Sequence, residues 1–153
     1  MSIVEDLSKY IGSWKGINKL YLSWLPDPLR QSDSNMNVSL KANGQFLSFD
    51  YTWAYEGKPQ EGLILLGGDS KSDAVQTVWT DSWHSSHTLM VSDGRADENG
   101  NVTVKGTYKV EGHPDWGWRT DIIPNGEELR IVMYNVSPEG EEELAVETDF
   151  SRA

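Results

Sequence analysis

Trp79, Asp81 and Trp83 alternate along one stretch of the chain, with His84 beside them and Ser82, Ser85 and Ser86 interleaved. On an extended backbone alternate residues share a face, so this spacing sets a carboxylate between two indoles. Were that face buried, the carboxyl would either rise in pKa through desolvation or take hydrogen bonds from a donor such as Tyr, Trp or Arg. Asp81 could then orient a small molecule or, with His84, act as an acid–base group on an enclosed substrate. A serine nucleophile does not follow, because residues this close along one strand cannot normally converge as serine, base and acid. His84 and His87 fall on opposite faces of a strand with no third ligand at suitable spacing, so both read as surface histidines and no metal is expected. His113-Pro114-Asp115 reads as a turn. The chain has no Gly-x-Ser-x-Gly, phosphate loop, His-Glu-x-x-His or dinucleotide fingerprint, so nothing in it indicates an enzyme class or a cofactor.

The elements that must position these groups are strands. Ser2 followed by Glu5 forms a capping box, and Ile3, Leu7 and Ile11 recur every four residues, which predicts one short amphipathic helix. After it the period is two. Val102, Val104, Gly106, Tyr108 and Val110 share one face, with Thr103, Lys105, Thr107 and Lys109 on the other. Similar runs predict strands over 14–22, 35–41, 45–55, 61–66, 75–81, 87–91, 102–110, 116–123, 128–136 and 143–150. Between them lie turn dipeptides such as Asn43-Gly44, Glu56-Gly57 and Asn125-Gly126. The Pro- and Ser-rich piece over 25–35 reads as a flap. Ten short antiparallel strands with no crossover helix mean a sandwich or an up-and-down barrel. Alternation persists to the last strand, with Leu144, Val146, Thr148 and Phe150 on one face, so neither end looks like a blunted edge and closure is preferred.

Gly12-Ser13-Trp14-Lys15-Gly16, opening the first strand after a short helix, resembles the Gly-x-Trp signature of calycin, or lipocalin-like, barrels. Tyr55-Glu56-Gly57-Lys58-Pro59-Gln60-Glu61-Gly62, Trp79-Thr80-Asp81-Ser82-Trp83-His84, a glycine near 94 and the final glycine hairpin with its apolar strand resemble a bacterial lipocalin-like family of unknown function. The resemblance covers residues 7–152. It implies an all-β fold, a closed antiparallel up-and-down barrel of about ten strands, with an internal cavity and the Trp plugging its closed end. Haem-binding relatives carry a histidine near the end of the last strand, and residues 143–152 contain none. Fatty-acid-binding relatives place an arginine inside. Arg119 and Arg130 are the candidates here, but each neighbours large apolar residues better suited to face inward.

Composition bounds the rest. At 153 residues the chain is expected to form a single domain over 1–153, and with no cysteine its stability comes from packing alone. A net charge of −11 argues against nucleic acid and anionic membrane surfaces as partners. No apolar stretch is long enough for a spanning helix, and the start has no export segment, so a cytoplasmic protein is expected, as monomer or homodimer. Seven Trp, six Tyr and three Phe supply rings that mostly carry a hydrogen-bonding group. A dry void of about 300 Å³ would cost on the order of 7 kcal/mol, so the lumen must be plugged by rings, wetted or occupied. The expected ligand-binding wall comprises Tyr51, Trp53 and Tyr55, then Trp79, Asp81 and Trp83, with Tyr108, Trp118 and Met133 from later strands. The resulting expectation is a binder of a small apolar or aromatic molecule. The alternatives are an enzyme of the same architecture using Asp81 and His84, and a filled barrel acting through its acidic exterior on a protein partner.

Overall fold

In the computed structural model, which describes residues 2–153, ten antiparallel strands close into one barrel. In chain order they are β1 Gly12–Tyr21, β2 Leu29–Lys41, β3 Phe46–Tyr55, β4 Lys58–Gly68, β5 Ala74–Asp81, β6 Met90–Ala96, β7 Val102–Tyr108, β8 Trp116–Asn125, β9 Glu128–Val136 and β10 Glu142–Arg152. Each pairs with its sequence neighbours. The seam is β1 against β10, in register from Trp14 with Arg152 to Leu20 with Val146. The expected closure is therefore present, and no strand is left with a free edge.

One end of the barrel is stoppered by the N-terminal helix α1, Ile3–Leu7, and the 3-10 turn Ser8–Tyr10 that continues it. The Ser2 hydroxyl accepts from the Glu5 amide, as a capping box requires. Ile3, Val4, Leu7 and Tyr10 are buried, whereas Ile11, expected on the same stripe, is exposed because the helix tightens and stops at Tyr10. Trp14 lies beneath, fully buried, its Nε1 donating to the Tyr10 carbonyl at 2.8 Å. The Arg152 guanidinium covers the indole at 4.2 Å and donates to the carbonyls of Lys9 and Ile11, both at 2.7 Å. The closed end is thus built from both ends of the described chain.

Several strands depart from the sequence pattern. Residues 29–34, expected in a flap, extend β2, which pairs with β1 along its whole length from Val38 opposite Gly12 to Leu29 opposite Tyr21. Only residues 22–28 form the loop. The sixth strand is Met90–Ala96 rather than 87–91, and His87 instead holds a left-handed turn conformation with φ 67°. Leu144 does not share the inner face of Val146, because the pairing of β10 with β9 shifts between these residues. The hairpin at Glu56-Gly57 has positive φ at both positions, as a two-residue connection between twisted strands favours.

Candidate functional site

Tyr51 on β3 stands opposite Gly62 on β4, and Gly62 stands opposite Asp81 on β5. The three share one inner row, and the missing side chain in the middle lets the outer two meet. A Cβ at Gly62 would collide with the Tyr51 phenol and lie 2.9 Å from Asp81 Oδ2. In that space the Tyr51 hydroxyl donates to Asp81 Oδ2 at 2.7 Å and accepts from Trp79 Nε1 at 2.9 Å. Trp53 Nε1 adds a second donor to Asp81 Oδ2 at 3.1 Å.

The other carboxylate oxygen builds the roof. Asp81 ends β5, and its Oδ1 accepts from the amides of Trp83 at 2.8 Å and His84 at 3.1 Å. This is what an aspartate does at the start of a helical turn, and the Ser85 amide closes that turn on the Asp81 carbonyl at 2.9 Å. The turn lays Trp83 and His84 across the mouth. Trp83 packs on Trp53 and Tyr55, with ring centroids 5.8 and 5.1 Å apart. His84 meets Trp53, Trp79, Trp83 and Trp118, and Trp79 stacks on Trp118 at 5.3 Å and 11°. The expectation that His84 is a surface histidine therefore fails, because the capped turn breaks the two-residue alternation and rotates the imidazole inward.

With its four acceptor positions taken by a phenol, an indole and two amides, the Asp81 carboxylate is bound entirely by uncharged donors. Burial pushes the Tyr51 phenol well above its ordinary pKa, and the adjacent Asp81 charge adds to that. Burial also lowers His84 to about 4, with the Asp81 charge opposing it, so the ring is neutral at pH 7. Arg119 and Arg130 lie on the outer wall. Arg119 forks onto Asp121 at 2.6 and 3.0 Å and reaches Glu142 at 3.0 Å. Arg130 binds Asp149 at 2.9 Å and Glu147 at 2.6 Å. Neither enters the lumen.

Between this network and the β9–β10–β1 wall remains a cavity of about 20 Å³, the room of a water or two. Of the residues expected to bind a ligand, Tyr51, Trp53, Asp81 and Met133 line it. Trp79, Trp118, Trp83 and Tyr55 surround these, while Tyr108 is engaged elsewhere, its hydroxyl donating to Asn135 Oδ1 at 2.6 Å. The lumen is thus largely filled by rings rather than open. Asn18, Ser34 and Thr148 also line the cavity without having been expected there, and His84, expected at the surface, lines it too. Thr148 donates to Asn18 Oδ1 at 3.3 Å across the seam. Among the described residues two buried side-chain polar atoms have no hydrogen-bond partner: Ser34 Oγ and Trp118 Nε1. Among the described residues no helix is long and apolar enough to cross a membrane.

The architecture has relatives among solved structures. The crystal structure of Rv2717c from M. tuberculosis is similar at a TM-score of 0.70 and 13% identity, covering 99% of this chain and 97% of that one. The S-type phycobiliprotein lyase CPES from Guillardia theta is similar at a TM-score of 0.65 and 12% identity, covering 100% and 93%. Identities this low establish a shared fold. No curated protein matches by sequence. A profile match over residues 4–152 completes the assignment, and the chain belongs to the family described as Protein of unknown function (DUF1579).

Proposed function

We propose that the barrel binds a small, largely apolar or aromatic molecule in its upper lumen, beneath the Trp83–His84 roof. The observation that carries this reading is the pair of unpartnered polar atoms, Ser34 Oγ and Trp118 Nε1, in an interior otherwise paired and aromatic. Buried polar groups in folded proteins almost always find partners, and an orphaned one marks a place where something else supplies the bond. Pockets for small molecules are commonly apolar and aromatic with a few fixed polar points, and Tyr51, Trp53, Met133 and Asp81 supply that mixture. Since the free volume is only about 20 Å³, binding requires the roof side chains to turn outward while Asp81 keeps its turn. The acid–base alternative loses Asp81 as its base, because a carboxylate with every acceptor position filled has none free to take a proton from substrate. The shared fold with a phycobiliprotein lyase carries no activity across at 12% identity.

Tryptophan fluorescence and thermal unfolding in the presence of indole, naphthalene, flavonoids, fatty acids and haem test the reading. Quenching and a raised Tm with at least one apolar or aromatic compound are expected. Silence throughout, with the same result in a roof variant, Trp83→Ala, would overturn it.

A further inference from the structure

The roof histidine sits in a box made of indoles. Its ring centroid lies 4.8 Å from Trp83, 5.4 Å from Trp79, 5.4 Å from Trp118 and 5.7 Å from Trp53. Those separations fall within the roughly 6 Å over which an aromatic ring attracts a positive charge. Directly below, Asp81 is the one buried carboxylate among the described residues with no cationic partner, since Asp121 is paired with Arg119. No lysine or arginine lines the cavity. An anion enclosed by rings and held only by neutral donors leaves a negative potential that a neutral imidazole does not answer.

We propose that this box is the seat of a small organic cation, a quaternary ammonium group, and that the His84 imidazole is its built-in placeholder. The assignment rests on the lumen-binding reading above and names the ligand class for it. A quaternary group suits the site better than a protonated amine, because an N–H would need an acceptor and all four acceptor positions of Asp81 are occupied. A cation without N–H bonds meets the indole faces and the charge of Asp81 without breaking any of those hydrogen bonds. His84 can vacate the box by rotating its side chain, since it binds Asp81 through its backbone amide, which stays in the turn together with the Trp83 amide. The orphaned Ser34 Oγ and Trp118 Nε1 then suit a neutral oxygen elsewhere on the same molecule. An anionic ligand would face the Asp81 charge with no cation to offset it.

The test titrates wild-type protein and His84→Gly with three probes of similar size, followed by tryptophan fluorescence: benzyltrimethylammonium, its neutral isostere neopentylbenzene, and phenylpropionate. The expected order in the wild type is cation, then the neutral probe about tenfold weaker, then anion. His84→Gly should tighten the cation further, about tenfold, because no imidazole has to be expelled. Equal binding of cation and neutral probe, or an anion ranked first, overturns the cation assignment while leaving the lumen-binding reading standing. No binding of any probe to either protein overturns the cation assignment, and the lumen-binding reading falls with it only if the wider panel above is silent as well. An unchanged cation affinity in His84→Gly overturns the placeholder role. Should that variant not fold, the wild-type ranking decides the cation assignment by itself, and the placeholder role is read from His84→Ala.

Discussion

The two ends of the barrel use the same side chain in opposite ways. At the closed end Trp14 has its N–H bonded to the Tyr10 carbonyl and a guanidinium seated on its face, and the whole assembly is tied to both terminal segments. At the mouth four indoles surround an uncharged imidazole, one of them has an unpartnered N–H, and the carboxylate below has no cation. The first cluster is complete in itself. The second is everywhere one partner short, and that deficit, rather than the aromatic content, distinguishes a site from a core.

The contrast can be broken by substitution. Trp14→Ala should show the largest effect, a loss of about 4 kcal/mol in denaturant unfolding, as expected for a fully buried aromatic truncated to a cavity. A loss under about 1 kcal/mol would mean that the helix does not depend on this indole.

The mouth should instead reveal itself through pH. The folded pKa of His84, about 4, lies below its ordinary 6.5, so between these values the unfolded chain binds the proton more readily. Stability carried by this group is therefore full above about pH 6.5 and falls as the pH drops toward about 4, by on the order of 3 kcal/mol. Asp81 and Tyr51 are the titratable groups facing it. Unfolding curves of wild type and His84→Gln, measured from pH 7 to pH 4, should converge as the acid limit is approached. Parallel curves would place the imidazole in water.

Gly62→Ala is expected to cost about 2 kcal/mol and to red-shift tryptophan emission, because the new methyl expels the Tyr51 phenol from its place over Asp81. Full stability with unchanged emission would show that the row between β3 and β5 can yield. The smallest effect, a loss of about 1 kcal/mol, is expected for Trp118→Phe, where removal of an N–H that has no partner offsets part of the packing lost with the larger ring. A loss above about 3 kcal/mol would show that the N–H is worth more than an unpartnered group can be.

Much of this frame was legible because most walls of the barrel are dry inside and wet outside. β9 falls at 128–136 as the alternation predicts, and β7 stops only two residues short. The failures occur where the inner wall is polar. In β2 the inward row includes Ser34, so residues 29–34 show no apolar alternation and, beside Pro26 and Pro28, read as a loop. In β6 the polarity is reversed: Ser92 is buried while Val91 is 54% exposed. His84 escaped for a different reason. Strand alternation across Asp81-Ser82-Trp83-His84 puts the histidine outside, whereas an aspartate before a short turn is a helix-start signal that rotates it inward. Ser34 and His84 are thus hidden by a polar inner wall and by a turn, whereas Tyr51, Trp53, Asp81 and Met133 line the same cavity from strands that alternate regularly.

The seam between β1 and β10 has one more effect. Ile17, Phe46 and Val91 stand on the outer wall with 39% or more of their surface exposed, which on an open sheet would invite stacking of further copies through unpaired backbone. Here every ladder already has a neighbour on each side, so these oily patches have no backbone template to extend, and the chain can carry them without seeding fibrils.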